Sequence, residues 1–278
     1  DAQEQSGLAQ LGKRSPEAAF EDLRPLIRQD PAGPRAQRIA DALRKAIQEA
    51  DRKKDFETLL NVTGFYVAEV GTPGSSDPFR ETLRSILPKT AESMKASEPM
   101  KRIFLLSLIA DVFAGEPEGE RARQSAMDVG SKVMAGAKEE QAKSDQVLPS
   151  NLGGLSVLSI DNATPYHMLV FYDGPEKFFV RFNPFRRGSV VLRDGKYTTG
   201  VIVTDASIEP YRSQSSHASE HQVSSYIIQS SNSPNRPAFG MPSQASGDYK
   251  LLRAPPDVEG LRVDPKTGAV SLGSAATP

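Results

Sequence analysis

Apolar residues recur every three or four positions along the first part of the chain, and every second position beyond Gly154. The first spacing places side chains on one face of an α-helix, and the second places them on one face of a β-strand. The pattern therefore predicts a multidomain α + β protein. We expect a flexible N-terminus over residues 1–14, an all-α domain over 15–145, a small antiparallel β-sandwich over 152–230, and over 231–278 a flexible tail in which short strands can form.

Six helices are predicted, starting near residues 15, 34, 55, 77, 97 and 118. Ser15-Pro16-Glu17, Asp77-Pro78 and Ser97-Glu98-Pro99 each combine an N-cap residue with a proline in the first turn. Pro25 and Pro88 are expected to kink or end their helices. The fifth segment is apolar nearly all round, which predicts the central, most buried helix. The sixth is expected to reach about residue 144.

Short loops and paired helices make this domain resemble tetratricopeptide-like or HEAT-like stacks of helical hairpins. The paired helices start near residues 16, 55 and 99, which gives no fixed period, and the tetratricopeptide consensus is absent. An irregular six-helix bundle is the alternative. The resemblance implies a concave surface that binds a protein or peptide. The alternative is a scaffold that has no partner of its own.

Aspartate-glycine pairs at Asp173-Gly174 and Asp194-Gly195 stand where hairpin turns are expected between short strands. Strands at this spacing, with no helix between them, predict an antiparallel sandwich. The strands are predicted over Leu155–Ile160, Tyr166–Tyr172, Lys177–Phe182, Ser189–Arg193, Tyr197–Thr204 and Val223–Gln229.

Three features of this segment carry a family resemblance: Asn162-x-Thr164-x-Tyr166, then Val170-Phe171-Tyr172 with Asp173-Gly174, then Gly195-Lys-Tyr197. They resemble the immunoglobulin-like or transthyretin-like modules of bacterial extracytoplasmic proteins. The middle turn departs from that outline, because Asn183–Gly188 is longer than the usual Pro-Gly turn. The resemblance implies an accessory β-sandwich without a catalytic role.

Charge and cysteine content narrow the function classes. The chain has 34 basic and 35 acidic residues, a net charge of -1, and no cysteine. A balanced charge without a basic segment argues against nucleic acid as a partner. The absence of cysteine excludes disulfides, thiolate metal sites and thiol catalysis. No apolar run approaches the ~18 residues of a membrane span.

The start of the sequence bears on localisation. The segment DAQEQSGLAQ is polar, rich in small residues and lacks an initiator methionine, as sequence does after removal of a signal peptide. A trimmed expression sequence is the alternative. We expect a bacterial periplasmic or secreted protein.

The histidines are the weak candidates for a metal site. His217 and His221 have the i, i+4 spacing of a helical pair, with Glu220 between them. The H-E-x-x-H arrangement needs glutamate directly after the first histidine, where Ala218 stands instead. The surrounding serines predict solvated loop histidines and no metal site.

Catalytic and nucleotide-binding motifs are absent from the sequence. Neither G-x-S-x-G, G-x-x-x-x-G-K-[ST] nor G-x-G-x-x-G occurs. We therefore assign no catalytic residue and expect no cofactor.

The segment Lys177–Gly188 mixes arginines with aromatic residues and provides the candidate binding residues Phe179, Phe185, Arg186 and Arg187. Stacking on single-stranded nucleic acid or on sugars is one interpretation, and a buried strand followed by a charged turn is the other. The latter is favoured by the neutral charge and the lack of tryptophan.

The sequence predicts a non-catalytic extracytoplasmic binding or scaffold protein whose partner is another protein or peptide. Cell-envelope carbohydrate is a second partner class, for which Tyr166 and Tyr172 are the candidate stacking residues. A hydrolase with a site at the domain junction is the rival from another class.

Overall fold

Helices fill the first part of the computed structural model and strands fill the second, as the sequence predicts. The chain divides into two units, Asp1–Val129 and Gly130–Pro278, and the division lies within the last helix. Among the described residues, no helix is both long enough and apolar enough to cross a membrane. The structure describes residues 2–11, 17–31, 33–70, 77–94, 98–139, 147–149, 153–230, 249–254, 261–263 and 270–272.

Seven helices are present among the described residues, one more than the sequence indicates. The additional helix occupies most of the segment that we expected to be flexible. Its Glu4 accepts hydrogen bonds of 2.9 and 3.0 Å from the Arg38 guanidinium, which links it to the third helix. The helices are α1 (Ala2–Gln10), α2 (Glu17–Gln29), α3 (Pro34–Lys53), α4 (Phe56–Val70), α5 (Pro78–Ser93), α6 (Pro99–Val112) and α7 (Pro117–Ala135).

The helices pack as successive pairs. Helix α1 lies against α2, α3 against α4, and α5 against α6, while α3 also contacts α5 and α4 contacts α6. Residues 103–110 of α6 are all buried, so the apolar fifth segment forms the centre of the unit as predicted.

The two internal prolines do not end their helices. Helix α2 continues through Pro25 to Gln29, and α5 continues through Pro88 to Ser93. Each proline removes one backbone hydrogen bond, which the packing of the flanking apolar residues offsets. Helix α7 ends at Ala135, earlier than the expected residue 144.

Two arginines of α5 meet the turn between α6 and α7. Arg80 and Arg84 both hydrogen-bond to the Glu116 carboxylate. Their guanidinium carbons lie 5.2 and 4.8 Å from the centre of the Phe113 ring. The Arg80 side chain is only 6% exposed, so its charge depends on these contacts.

The strands of the second unit agree with five of the predicted ranges within a few residues, and the predicted sixth strand starts earlier, at Glu220. They are β1 (Val147–Pro149), β2 (Leu155–Asn162), β3 (Met168–Asp173), β4 (Lys177–Phe182), β5 (Arg187–Arg193), β6 (Gly195–Val203), β7 (Ile208–Glu209), β8 (Tyr211–His217), β9 (Glu220–Ser230), β10 (Tyr249–Ala254), β11 (Leu261–Val263) and β12 (Val270–Leu272).

Two sheets form the sandwich. The four-stranded sheet is antiparallel, in the order β4-β3-β6-β8, and the six-stranded sheet has the order β5-β2-β9-β10-β7, with β1 also paired to β9. Strands β11 and β12 pair separately. Two pairs are parallel, β2 with β9 and β10 with β7, which differs in detail from the antiparallel expectation. The alternation of apolar and polar residues shows which side chains share a face of a strand. It does not show whether neighbouring strands run parallel or antiparallel.

The interior of the sandwich takes side chains from both sheets. Its residues alternate with exposed or half-buried neighbours along β2 and β5, whereas β3 and most of β6 are buried on both faces. The buried cluster consists of Leu158, Ile160, Met168, Val170, Tyr172, Phe182, Val190, Leu192, Tyr197, Val201, Val203, Ile208 and Tyr211.

The other face of the four-stranded sheet is covered by the end of α7, which belongs to the second unit. A Cβ atom at Gly130 would lie 2.4 Å from the Phe171 ring, and one at Gly200 would lie 2.8 Å from Met134. Both faces of this sheet are therefore buried at its centre.

Candidate functional site

The outermost strand of the six-stranded sheet, β5, exposes every second side chain. Arg187, Ser189, Val191 and Arg193 are exposed, whereas Val190 and Leu192 are buried in the sandwich. Strand β5 pairs with β2 on one side, and no strand in the described part of the chain pairs with its other side. An open strand edge of this kind can pair with another extended chain.

The large hydrophobic side chains that are exposed among the described residues all lie along β5. Phe185, two residues before the strand, is 63% exposed, and Val191 within it is 53% exposed. Leu155, which is paired with Arg193 at the end of the strand, is 36% exposed. Exposed apolar side chains beside an unpaired strand edge favour the binding of another extended chain there.

The backbone of β5 presents hydrogen-bonding groups at this open edge. The Asn162 N–H donates to the Arg186 carbonyl and the Asp194 N–H donates to the Gly154 carbonyl, each at 3.0 Å. In an antiparallel pair, hydrogen-bonded and non-hydrogen-bonded residue pairs alternate. The even-numbered residues of β5 therefore face β2, and the odd-numbered ones direct their N–H and C=O groups to the open edge. At the end of the strand the Arg193 N–H already donates to Glu176 Oε2 at 3.4 Å.

The turn before β5 holds Phe185 in a defined position. Phe185 has a φ of 52°, and its N–H donates to the Thr164 carbonyl at 3.2 Å. The Asn162 side-chain amide donates to the carbonyls of Tyr166 and Asn183 at 2.8 and 2.9 Å. Its oxygen accepts from the N–H and hydroxyl of Thr164. The fully buried Asn162 amide thus uses both donors and its acceptor to fix the turn.

Exposed arginines, each paired with one carboxylate, stand at the two ends of the open edge. Residues 181–193 contain four arginines and no acidic residue. Arg187 pairs with Asp161 at 3.0 Å and remains 60% exposed, and Arg193 pairs with Glu176 at 3.2 Å and remains 72% exposed. A guanidinium has five N–H donors, so each of these arginines can donate hydrogen bonds to a further carboxylate.

Strands β4 and β5 lie side by side at this open side of the sandwich. The Glu176–Arg193 ion pair joins their far ends, and a Cβ atom at Gly188 would lie 2.9 Å from the Phe182 ring at their near ends. Phe178 and Val180 of β4 face the interior but are only partly buried. The rim of the core is therefore accessible between the two strands.

The structure separates the predicted binding residues. Phe185, Arg186 and Arg187 are exposed together at the start of β5, as expected for a binding surface. Phe179 is only 4% exposed, because it packs against Phe171, with ring centres 5.7 Å apart. It lies on the sheet face that α7 covers, so the prediction that its ring is accessible to a ligand is wrong.

The two tyrosines that the sequence offers for carbohydrate are not equivalent. Tyr172 is 1% exposed, and its ring meets Tyr197 edge-on at 6.1 Å within the core. This corrects the expectation that it presents a face to a sugar, because β3 is a central strand whose two faces are covered. Tyr166 is half-buried at the rim.

His217 is buried at the end of β8, which corrects the expectation of a solvated loop histidine. Its Nδ1 lies 2.7 Å from Glu220 Oε1, and its Nε2 lies 2.9 Å from Ser215 Oγ. The order serine, histidine, carboxylate is that of serine hydrolases. This arrangement could not be recognised from the sequence, because Ser213, Ser215 and His217 are the inward-facing residues of a polar strand that has no apolar alternation.

A second polar network anchors the turn after His217. Asp194 accepts from the Ser219 N–H and hydroxyl, both at 2.7 Å, and from the Ser156 hydroxyl at 2.9 Å. These hydrogen bonds, first that of the Ser219 N–H, lower the pKa of the Asp194 carboxyl. Ser219 has a φ of 48°, so the network holds a strained residue in place.

The metal candidates are not brought together as ligands. His217 is engaged by Ser215 and Glu220, and His221 lies in β9, where its backbone pairs with Leu148 and Val157. Among the described residues, no cluster of histidines and carboxylates has the geometry of a metal site.

The helical unit has a groove that described residues line. Its volume is about 470 Å³, and it lies between α1, α3 and the start of α4. Leu8 and Leu11 contribute apolar lining, and the charged lining is mixed, because Glu49 pairs with both Arg52 and Lys53.

Comparisons with known proteins give no family for this chain. No protein-family description matches it, and no curated protein is similar to it. One similar solved structure is the alkylpurine DNA glycosylase AlkC of Pseudomonas fluorescens, bound to DNA containing an abasic site analog. It is 12% identical, over 74% of this chain and 77% of that chain, with a TM-score of 0.16.

The similar protein is bound to DNA, and the charge balance from which we excluded nucleic acid is not by itself sufficient for that exclusion. We therefore withdraw that exclusion. A TM-score of 0.16 carries no argument about the fold of this chain or about what it binds.

Proposed function

We propose that this chain is a non-catalytic binding protein whose β unit holds an extended segment of another protein along β5. One observation carries the proposal: β5 is an edge strand of the described sheet whose outer face exposes Val191, with the exposed Phe185 just before it and the exposed Leu155 of β2 paired to its last residue. Strand addition combines backbone hydrogen bonds, which give affinity, with side-chain contacts, which give specificity.

A peptide suits this surface better than a sugar does. Carbohydrate stacking needs exposed flat rings, and Phe185 is the one large aromatic exposed among the described residues. The odd-numbered backbone groups of β5, in contrast, match the repeat of an extended chain. The helical unit, with its groove between α1 and α3, is proposed as the scaffold that accompanies this binding module.

We also propose that the protein works in the bacterial periplasm or outside the cell. The cysteine-free sequence supports this localisation, since such a chain has no thiol to mispair in an oxidising compartment. Fractionation of cells that produce the full-length protein, with immunodetection in each fraction, tests it. Recovery in the cytoplasm alone would contradict the proposal.

The binding proposal is tested with a random peptide library selected on the full chain. Dissociation constants of the recovered peptides are then measured for the wild type and for Val191→Pro. Proline removes an N–H that faces the open edge and leaves the pairing with β2 intact. We expect at least about fivefold weaker binding, equivalent to roughly 1 kcal/mol for one hydrogen bond.

Val191→Thr is the matched control, because it keeps the N–H and the branched shape, and it should retain most of the affinity. The proposal is wrong if no peptide is recovered, or if the recovered peptides bind Val191→Pro as tightly as the wild type. A single-stranded oligonucleotide is measured in parallel. Oligonucleotide binding without any peptide binding would also overturn the proposal.

A hydrolase is the second candidate, favoured by the chain of hydrogen bonds from Ser215 through His217 to Glu220. Such an enzyme also needs donors aimed at the developing oxyanion and an accessible hydroxyl. Reaction with a fluorophosphonate, followed by mass spectrometry, separates the two candidates. Labelling that Ser215→Ala abolishes would favour the hydrolase, and an unlabelled protein would favour the binding module.

A further inference from the structure

We infer that the segment bound along β5 is apolar in its middle and carries a carboxylate near each end. This inference rests on the proposed function, because it specifies what kind of peptide the same edge holds. It follows from three properties of the edge: the partly exposed core rim on one side, the apolar centre of its outer face, and the arginines at its two ends.

The core rim selects apolar residues at alternate positions of the bound segment. A strand added to β5 lies next to β4 as well, because the Glu176–Arg193 pair and the Gly188–Phe182 approach hold the two strands side by side. Every second side chain of the added strand points to the sandwich interior. There it meets Phe178 and Val180, which nothing among the described residues covers fully.

On the outer face, the bound segment is expected to carry β-branched residues at its central positions. Val191 lies at the middle of this face, beside Val157 on β2, and both are accessible. Ser189 lies next to it and approaches Ser159, with their hydroxyl oxygens 3.3 Å apart. A β-branched side chain such as threonine or valine opposite these residues contacts the valines and tolerates the hydroxyl groups.

The ends of β5 select acidic residues. Arg187 begins the strand and Arg193 ends it, and both side chains lie on the outer face. Carboxylates placed opposite them in the added strand are in reach of guanidinium donors that remain more than half exposed. Asp161 and Glu176 already bind one side of these two guanidinium groups, so a carboxylate of the added strand uses the donors that remain exposed.

A second copy of the chain does not fit this edge equally well. When two β5 strands pair antiparallel about Val190, Arg187 of one copy stands opposite Arg193 of the other. Like charges directly opposite each other destabilise a strand pair. The segment is therefore assigned to a partner protein with acidic ends.

The probe is the capped peptide Glu-Val-Thr-Val-Thr-Val-Glu, which reads the same in both directions and so makes no assumption about strand orientation. Its counterpart, Lys-Val-Thr-Val-Thr-Val-Lys, differs only at the ends. Fluorescence anisotropy with the full chain at low salt gives both dissociation constants. We expect the glutamate peptide to bind at least about tenfold more tightly.

Replacement of both arginines, Arg187→Gln with Arg193→Gln, should reduce this preference to about twofold or less. The matched control Arg52→Gln removes an exposed arginine of the helical unit and should leave the preference unchanged. A glutamate peptide whose three valines are replaced by serine should lose about tenfold in affinity, because it no longer covers Phe178 and Val180.

The outcomes separate this inference from the proposed function. Equal binding of both peptides, weakened in each case by Val191→Pro, would overturn the acidic specificity and leave strand addition standing. Binding of neither peptide, while library peptides of another composition bind in a Val191-dependent way, would also overturn the inference alone. Failure of the library as well would overturn both.

Discussion

The side-chain amide of Asn162 donates a 2.9 Å hydrogen bond to the backbone carbonyl of Asn183, and this contact joins the end of β2 to the turn that presents Phe185. The same amide also donates to Tyr166 and accepts from Thr164. One buried side chain therefore supports the corner of the sandwich at which the proposed binding edge begins.

Asn162→Ala should lower the free energy of unfolding by about 2–4 kcal/mol, because several buried backbone groups lose their partner. Urea denaturation measures this change. Asn183→Ala is the control: it keeps the carbonyl that accepts from Asn162 and loses the contacts of its side chain with Arg181 and His167. It should cost less than Asn162→Ala, because the backbone groups of the turn keep their partner, and similar losses in the two variants would contradict the assigned role of Asn162.

Amide hydrogen exchange should alternate along β5. The N–H groups of Val190 and Leu192 bond to β2, whereas those of Ser189 and Val191 face the open edge. Exchange at the second pair should be on the order of a hundredfold faster, as measured by NMR. Equal protection of all four amides would show that another segment already pairs with the edge, and addition of a bound peptide should slow Ser189 and Val191 selectively.

The buried His167 should make stability depend on pH. Burial lowers the pKa of His167 to about 3, and the nearby charge of Arg181 acts in the same direction. Histidine in the unfolded chain titrates near 6.5, so the unfolded state alone binds this proton between about pH 6.5 and 3. The free energy of unfolding should therefore fall as the pH falls, by up to about 1.4 kcal/mol per pH unit in this window.

Urea denaturation of the wild type and of His167→Gln at several pH values between 7 and 4 tests this dependence. The two proteins share every other titrating group, so the difference between their slopes isolates His167. Parallel slopes would show that the imidazole is accessible to protons in the folded state.

The Glu116 carboxylate should contribute more to the free energy of unfolding than the exposed Glu81 carboxylate does. Glu116→Ala removes the partner of the buried Arg80 and should lower the free energy of unfolding by about 2–3 kcal/mol. Glu81→Ala is the control, because Glu81 pairs with the more exposed Arg84 at 3.5 Å and should cost less than about 1 kcal/mol. Thermal denaturation of the two variants distinguishes these values, and equal losses would refute the special role of Glu116.

Much of the helical unit could be predicted because its signals are local. The Asp77 side chain caps α5 by accepting from the Phe79 N–H at 2.8 Å, as its sequence position indicates. Helix α1 was missed because its apolar residues are few, and its Glu4 is buried through arginines of α3. Strand β8 was missed because its inward residues include Ser213, Ser215 and His217, which a hydrophobic pattern does not register.

The candidate site was predictable in part. Phe185 and Arg186 stand in the turn before β5 and Arg187 begins the strand, and the exposure of a charged turn follows from local chemistry. Whether Phe179 and Tyr172 are buried depends on what covers each sheet face, and alternation along a strand does not contain that information. Val191 gained its significance only from the sheet order, which places β5 at the outside.

The central place of β9 in the six-stranded sheet determines when this unit can assemble during synthesis. Strand β2 needs β9 as its parallel neighbour, and the two are separated by the whole of the four-stranded sheet in sequence. Pairing between such distant segments closes a long loop and is slow. A nascent chain that has emerged from the ribosome only as far as His217 therefore exposes the edge of β2 that later pairs with β9, in addition to the edge of β5. Chaperones that recognise extended apolar strands should bind the chain at that stage.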